Sequence, residues 1–177
     1  DNQIGRVIMA LVEHEGYDNT RIRVTSGHGE ELCDHHMFRK SRPYGGSCRV
    51  PFFICAGKET GLALKAGSTC HAVVELRDVM PTLLSAAGAD IPGSVDGADL
   101  LPLAADPSET VRPWLHGEHS YGDFSNHWIV TETDKYVWYS STGQEQYFNL
   151  REDPHALTDL ATTLPQKKGY PFSAPAL

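Results

Sequence analysis

The sequence has few basic residues and no long apolar run. Lys and Arg number 15 against 23 Asp and Glu, which gives a formal net charge of -8 with neutral histidines. Surfaces for nucleic acids or anionic membranes need clustered basic residues in excess, so the composition argues against both partners. No segment approaches the roughly 20 apolar residues of a membrane-spanning helix, and no signal peptide is evident. The sequence predicts neither a membrane span nor a nucleic-acid partner, and it leaves the compartment, cytoplasmic or periplasmic, open.

Cysteines are also scarce, and their spacing defines no site. Cys33, Cys48, Cys55 and Cys70 form no CxxC pair, so neither a zinc knuckle nor a disulfide scaffold is indicated. An initiating Met is missing too, since the chain begins at Asp1 and enters an amphipathic pattern almost at once. Such a start is typical of a piece of a longer protein.

What remains is ordinary globular composition. The chain has 177 residues, of which 40% are hydrophobic and 21% are charged. This length suits one domain with a core, or one larger part with a small satellite.

The first third of the sequence predicts an α/β unit. A helix that ends near Gly16 is predicted from apolar residues at helical spacing, namely Ile4, Val7, Ile8 and Leu11. A strand begins at Ile22, and residues 50–55 form a second, stronger one. Helix, short loop and strand in this order favour a parallel strand. Because Arg21 and Arg23 are unusual in a buried parallel strand, this strand either lies near a sheet edge or has drifted from the pattern.

The middle of the chain predicts one more strand and one helix. Residues 73–76 favour a short strand, and Asp78 is placed as the N-cap of a helix that Gly88 ends. Prolines and glycines are frequent from residue 89 to 113. This loop-rich stretch predicts a subdomain boundary near residue 112.

The last part of the chain predicts a small antiparallel sheet. Three β-type runs joined by short polar turns indicate hairpins, at residues 127–133, 136–140 and 146–150. A short helix after Asp153-Pro154 and an extended tail after Leu164 are predicted to follow. The predicted fold class is therefore α/β: a mostly parallel, mixed sheet with flanking helices over residues 1–112, then an antiparallel subdomain of three or four strands with one helix over residues 113–177. An unprotected sheet edge would favour self-association.

A dense polar loop between the first two strands is the leading candidate site. Within nine positions it offers nitrogen and oxygen donors that suit a divalent ion, from His28, Glu30, Glu31, Asp34, His35 and His36. HExxH is absent, and hydrogen-bonded loop histidines are the alternative. Basic residues also form an island that fits either an anionic small substrate or a solvated loop, from Arg39, Lys40, Arg42 and Arg49.

Several motifs in order carry a resemblance to a known family. They are T-S-G-H-G-E at 25–30, D-H-H-M-F-R-K at 34–40, P-Y-G-G-S at 43–47, R-V-P-F at 49–52, D-V-M-P-T-L-L at 78–84 and Q-Y-F-N-L at 146–150. With these motifs the sequence resembles the downstream half of the type I sulfatases (arylsulfatases) of the alkaline-phosphatase superfamily, over nearly the whole chain. The resemblance implies an alkaline-phosphatase-like fold, hydrolysis of sulfuric esters, and Ca²⁺ or Mg²⁺ as cofactor in the intact protein.

The resemblance also implies roles for single residues. Lys40 matches the lysine that contacts the sulfate, which makes it the catalytic and substrate-binding candidate. His28 matches the second of two metal ligands, while Gly27 occupies the position of the usual Asp ligand. The formylglycine nucleophile of the family arises in a C/S-x-P-x-R motif, which this chain does not contain. His116 and His119, at the junction of the two predicted parts, are candidates for the substrate pocket, and His116 is equally suited to tie the parts together.

The predicted function is that of a sulfatase fragment that takes part in metal-assisted cleavage of a small anionic sulfate ester. The alternatives are a phosphodiester or phosphonate hydrolase of the same superfamily, and a non-catalytic, degenerate module, which Gly27 and the missing nucleophile favour. Affinity for Ca²⁺ depends on carboxylate count. The chain by itself is therefore predicted to bind Ca²⁺ negligibly and to be inactive.

Overall fold

The computed structural model describes residues 1–120 and 122–163. Four α-helices and six strands follow one another in chain order: α1 (Asn2–Glu13), β1 (Arg21–Thr25), α2 (Gly45–Cys48), β2 (Phe52–Ala56), α3 (Val79–Ala86), α4 (Leu101–Ala105), β3 (Leu115–His119), β4 (Asn126–Val130), β5 (Asp134–Tyr139) and β6 (Glu145–Asn149). None of the helices described is long and apolar enough to cross a membrane.

The predicted first helix is confirmed as α1, but its apolar face is only partly covered. No residue of α1 is buried, and the exposed fractions reach 64% at Val7 and 55% at Met9. An amphipathic helix normally turns its apolar stripe toward a core. Among the described residues, neighbours cover Ile8 and Leu11 in part and leave Val7 exposed.

The first two strands are confirmed, but their predicted parallel arrangement is wrong. β1 pairs antiparallel with β2, with Arg21 opposite Ala56 and Thr25 opposite Phe52. A parallel pair needs a long crossover, usually a helix of several turns. The connection over residues 26–51 instead holds a 3₁₀ turn at Asp34–His36 and the four-residue α2, and it returns the chain beside the end of β1. Within the described part each of these strands has one strand neighbour. The exposed edge behind the predicted self-association is thus present, and the association itself stays a prediction.

Two further local predictions around α3 have different outcomes. The helix forms and ends before Gly88, whose φ of +70° suits a glycine at the helix end. The strand predicted over residues 73–76 is wrong, because the chain there is irregular and then forms a 3₁₀ turn at Leu76–Asp78. Asp78 does not cap α3 with its side chain, since its carboxylate is bound elsewhere.

The antiparallel sheet is confirmed and has four strands in the order β3-β4-β5-β6. Each strand pairs with the next in the chain, so the sheet is a simple meander. The helix predicted after Asp153-Pro154 is wrong. Ala156 has a φ of +53°, which breaks a right-handed helix, and its side chain packs into the core. The predicted tail after Leu164 lies outside the described residues.

The main apolar core cluster joins the sheet to the loop that precedes β2. Its buried members are Tyr44, Val137, Phe148 and Ala156, of which Val137 is fully buried. Tyr44 lies just before α2, whereas the other three belong to the sheet and the segment after it. Residues on both sides of the predicted boundary at 112 thus share one cluster, and the division into two domains stays a prediction.

Candidate functional site

His28 and Lys40, two of the predicted site residues, meet at the end of β1. Lys40 Nζ lies 2.7 Å from His28 Nε2, and His28 Nδ1 lies 2.8 Å from the carbonyl oxygen of Gly29. A carbonyl only accepts, so Nδ1 carries the imidazole proton and Nε2 accepts from the ammonium. Both side chains are exposed. The loop therefore presents a fixed cation beside a neutral imidazole, an arrangement that can hold an anionic oxygen.

The backbone of this loop is unusually strained. Eight described residues other than glycine have positive φ, and six of them lie within residues 32–41: Leu32, Cys33, His35, His36, Arg39 and Ser41. Each such residue costs on the order of 1–3 kcal/mol and persists only where its surroundings fix it. Strain of this kind is concentrated at binding sites and active sites, and here five of the six residues lie between His28 and Lys40 in the sequence and the sixth directly follows Lys40.

Contacts with the sheet region hold the strained segment in place. His35 stacks on Tyr44 with ring centroids 4.0 Å apart, and its Nε2 lies 3.0 Å from the carbonyl oxygen of His155. The Arg42 guanidinium lies 4.7 Å from the centre of the Phe124 ring. His35 thus fits the alternative of a hydrogen-bonded loop histidine. Arg42 is removed from the predicted basic island, while Arg39, Lys40 and Arg49 remain exposed.

The six donors predicted for a divalent ion do not converge. Among the residues described, the cluster of three metal-ligating side chains that does occur lies in the sheet and includes none of them. Glu31 is 1% exposed and turned away from solvent toward Gly46. His28 alone offers a ring nitrogen beside position 27. One imidazole does not fit Ca²⁺ or Mg²⁺, which collect six or more oxygen ligands.

Position 27 nevertheless has room for the carboxylate that the family pattern would place there. A Cβ built on Gly27 meets no atom within 4 Å, and its φ is not in the left-handed region. At Gly29, by contrast, a Cβ would collide with the carbonyl oxygen of Gly46. Gly29 is required by packing, whereas Gly27 is not.

Two buried ionisable side chains, Glu31 in this loop and Lys135 in β5, lie close enough to influence each other. Lys135 is 6% exposed, and each charge lies in the electrostatic field of the other. Burial raises the pKa of Glu31 and lowers the pKa of Lys135. In the part of the chain described, neither carboxylate oxygen of Glu31 accepts a hydrogen bond of good geometry; the backbone N–H of Ser47 lowers its pKa by less than burial raises it. Sequence analysis missed this pair because nothing local distinguishes Glu31 from its exposed neighbour Glu30.

A second buried carboxylate is fully bonded. Asp78, 0% exposed, accepts both ends of the Arg112 guanidinium at 2.6 and 2.7 Å and the backbone N–H groups of Glu75 and Ala98 at 2.8 Å. Burial alone would raise the pKa of Asp78, but these hydrogen bonds hold it below the ordinary value of 3.8. The cluster fixes the start of α3 to the segment that leads into β3.

His116 and His119, the other predicted substrate-binding residues, point to opposite faces of the sheet. They are three positions apart on β3, and side chains alternate along a strand. His119 shares a face with Trp128 and Val137, toward the core, whereas His116 stacks on His127 on the outer face. The two rings therefore do not belong to one pocket, and a substrate role for either histidine stays a prediction.

The chain is similar to known sulfatases. The family model described as "Sulfatase" matches residues 1–89. An arylsulfatase from Clostridium perfringens is 49% identical over 162 residues, which cover 90% of this chain and 33% of that protein. The chain thus spans about a third of the length of this relative.

Two solved structures share the fold. BT4656 in complex with its substrate D-glucosamine-2-N,6-O-disulfate is 26% identical with a TM-score of 0.80, covering 90% of this chain and 33% of that one. A phosphonate monoester hydrolase from Agrobacterium radiobacter is 27% identical with a TM-score of 0.75, covering 91% and 34% respectively. The predicted resemblance is confirmed, as is the α/β fold class.

Proposed function

We propose that this chain, which belongs to the sulfatase family, is part of an enzyme that hydrolyses a small anionic sulfate ester, with Lys40 as the residue that binds the sulfate. The main observation in favour of this proposal is the 2.7 Å contact between Lys40 Nζ and His28 Nε2 at the end of β1. This contact brings together the two residues that the family pattern assigns to the sulfate and to the metal.

The chemistry of Lys40 suits an ester anion. An ammonium group has three N–H donors, of which His28 takes one, so the others remain for sulfate oxygens. Charge-assisted hydrogen bonds of this kind strengthen as negative charge develops on the oxygens of the breaking ester. In the free site the imidazole holds the ammonium close to this position, which limits the entropy lost when the anion binds.

Other parts of the proposal concern the whole protein. A Ca²⁺ or Mg²⁺ ion would need carboxylate ligands beyond the single imidazole that His28 provides, and a formylglycine nucleophile would need a motif that these 177 residues do not contain. We assign to this chain the binding of the anion and, through His28, one ligand of the ion. To ligate the ion, His28 Nε2 would give up its hydrogen bond from Lys40, which would leave all three N–H donors of Lys40 for the anion. His119 is assigned a place at the substrate pocket, because its ring lies on the inner face of β3.

A second candidate reaction is hydrolysis of a phosphonate or phosphodiester. The observation that favours it is the TM-score of 0.75 to a phosphonate monoester hydrolase. Sulfate and phosphonate monoesters both present anionic oxygens to a lysine, so Lys40 fits either ligand. The third alternative, a non-catalytic module, rests on Gly27.

The test uses the intact protein with 4-nitrophenyl sulfate and a matched phenyl phosphonate ester. We expect turnover of the sulfate, and we expect Lys40→Ala to lower kcat/KM by about 10²–10³-fold, the usual effect of losing one donor to a developing charge. Lys58→Ala is the control, because Lys58 is an exposed lysine that pairs with Asp18 and follows β2 at the end of the β1–β2 pair opposite to the loop. Turnover of the phosphonate alone would replace the sulfatase assignment, and no turnover of either ester would favour the non-catalytic module.

A calorimetric titration of Ca²⁺ tests the role of position 27. Gly27→Asp has space for its side chain and adds one anionic oxygen beside His28, so we expect tighter Ca²⁺ binding and a higher esterase rate. Gly27→Asn has nearly the same volume without the charge and should change neither as much. Equal, tight binding by the native protein and Gly27→Asp would show that position 27 is not a ligand.

A further inference from the structure

We propose that His116, Glu118 and His127 form a site for a divalent transition-metal ion on the outer face of the four-stranded sheet. The three ligand atoms already lie within 4.8 Å of one another, and no described residue of the sulfate-binding loop takes part. This inference does not depend on the proposed sulfatase activity.

The sheet register brings these three side chains together. Glu118 on β3 lies directly opposite His127 on β4, and His116 precedes Glu118 by two positions on the same face. The observed contacts agree with this arrangement: His127 Nδ1 lies 3.5 Å from Glu118 Oε2, and the rings of His116 and His127 are stacked 5.7 Å apart with an angle of 8° between them. Two ligands from one strand and one from the next would clamp β3, an edge strand, to β4.

The donor set selects the kind of metal. Two imidazole nitrogens and one carboxylate suit Zn²⁺, Cu²⁺ or Ni²⁺, whereas Ca²⁺ and Mg²⁺ prefer oxygen ligands alone. Bonds of about 2.0–2.2 Å to a tetrahedral Zn²⁺ require the ligand atoms to lie about 3.4 Å from one another, so a pair near the 4.8 Å limit must close by more than about 1 Å. Because His116 and Glu118 are exposed, small rotations of their side chains achieve this approach. Three protein ligands leave a fourth position for water or an external donor.

The ring of His127 packs against a neighbouring aromatic side chain. It stacks on Trp138 of β5, with centroids 5.4 Å apart and an angle of 29°. A ligand whose ring orientation is fixed by a neighbour loses less freedom when the ion binds. The same contact places an indole close to the proposed ion, which supplies an optical probe of the site.

The binding test titrates Zn²⁺ alone into the intact protein, with Ca²⁺ in excess to saturate any hard-cation site. We expect His116→Ala and His127→Ala each to weaken binding of one Zn²⁺ by at least about 10-fold, the lower end of what even an outer-shell ligand partner contributes. His14→Ala and His71→Ala are the controls, because both remove an exposed histidine elsewhere and should leave the titration unchanged. Unchanged Zn²⁺ binding in His127→Ala, or an equal loss in His71→Ala, would overturn the proposal and leave a simple pair between Glu118 and His127.

Two further measurements keep the test independent of folding defects. Glu118→Gln preserves the shape of the side chain, so it should melt like the native protein yet bind Zn²⁺ more weakly. Cu²⁺ should quench tryptophan fluorescence in the native protein and much less in Trp138→Phe, because Trp138 touches His127. Equal quenching in both proteins would place the ion away from Trp138 and against the proposed site.

Discussion

Asp78 and Glu31 are equally buried carboxylates with opposite electrostatics. Asp78 is 0% exposed and receives four hydrogen bonds, and these hold its pKa below the ordinary value. Glu31 is 1% exposed, its oxygens accept no hydrogen bond of good geometry within the described residues, and burial raises its pKa by more than the nearby Ser47 N–H lowers it. The hydrogen bonds a buried charge receives, and not the depth of its burial, decide whether it stabilises the fold.

The location of each carboxylate explains the difference. Asp78 lies in the scaffold, where it joins the start of α3 to the segment before β3. Glu31 lies in the loop that carries His28 and Lys40, beside residues with positive φ. The protein thus concentrates unfavourable backbone conformations and an unbonded charge at its candidate site, and it places a fully bonded charge where only rigidity is needed.

The largest effect is expected from breaking the bonded pair. Arg112→Met leaves Asp78 buried without its cation, so we expect the free energy of unfolding to fall by about 3–5 kcal/mol in urea denaturation. Arg77→Met is the control, since Arg77 pairs with Glu75 but is 57% exposed, and it should cost less than about 1 kcal/mol. Similar losses in both variants would show that the burial of the pair contributes nothing special.

A double-mutant cycle on Glu31 and Lys135 should give the reverse pattern. Each single change to Met strands the other buried charge, so we expect each to lower the free energy of unfolding by about 1–3 kcal/mol. Changing both to Met removes two desolvated charges and should restore or exceed the native stability. Strictly additive losses would mean that the two groups do not interact.

The packing around Glu31 can be tested with two adjacent glycines of α2. A Cβ on Gly46 would lie 2.7 Å from Glu31 Oε2, whereas a Cβ on Gly45 would meet nothing within 4 Å. Gly46→Ala should therefore lower the free energy of unfolding by about 1–3 kcal/mol, because the added methyl group overpacks the site. Gly45→Ala should leave the free energy of unfolding unchanged or raise it by up to about 1 kcal/mol. If both variants melt alike, Glu31 has room to move and is not locked against α2.

The smallest effect is a pair of opposite pH dependences, one below the ordinary Asp pKa of 3.8 and one above the ordinary Glu pKa of 4.5. The folded pKa of Asp78 is lowered, so its contribution is present above its unfolded pKa and lost as pH falls through the folded value. The folded pKa of Glu31 is raised, so stability is lost as pH rises from its ordinary value of 4.5 through the folded value. Urea denaturation at a series of pH values should show that Arg112→Met weakens the fall in the free energy of unfolding toward acidic pH, and that Glu31→Gln weakens its fall above pH 4.5. If both variants changed the same part of the pH dependence, this assignment would be contradicted.

Local elements were predictable from the sequence because their signals are local. The helical spacing of Val7 and its neighbours, the stop at Gly88 and the alternation along β4 to β6 each depend on a few adjacent residues. The pairing direction of β1 and β2 was not predictable in this way, since it depends on how a long, strained loop returns the chain. The helix after Pro154 failed for a related reason: the burial of Ala156 in the core overrode local propensity.

Part of the candidate site was likewise predictable from local sequence signals, and part depended on long-range packing. The motif spacing identified His28 and Lys40, which the structure brings into contact. Only burial distinguishes Glu31 from the other loop carboxylates. Its neighbour Lys135, like the Arg112 that pairs with Asp78, comes from a distant part of the sequence and was not predictable from local signals. Period-two alternation in β3 was the available signal that His116 and His119 face apart and that His116 and Glu118 face together.

The meander of β3 to β6 sets an order in which the chain is expected to fold. Every strand pair in it closes over a short turn, so its contacts are close in sequence and form with little loss of chain entropy. The pairing of β1 with β2 must instead wait for residues 26–51 to adopt backbone conformations that contacts with the sheet region impose through Tyr44 and His35. The loop of residues 26–51 would then be the last segment to fold, because it packs on a sheet that is synthesised after it. Slow steps in refolding should therefore be visible at this loop rather than in the sheet.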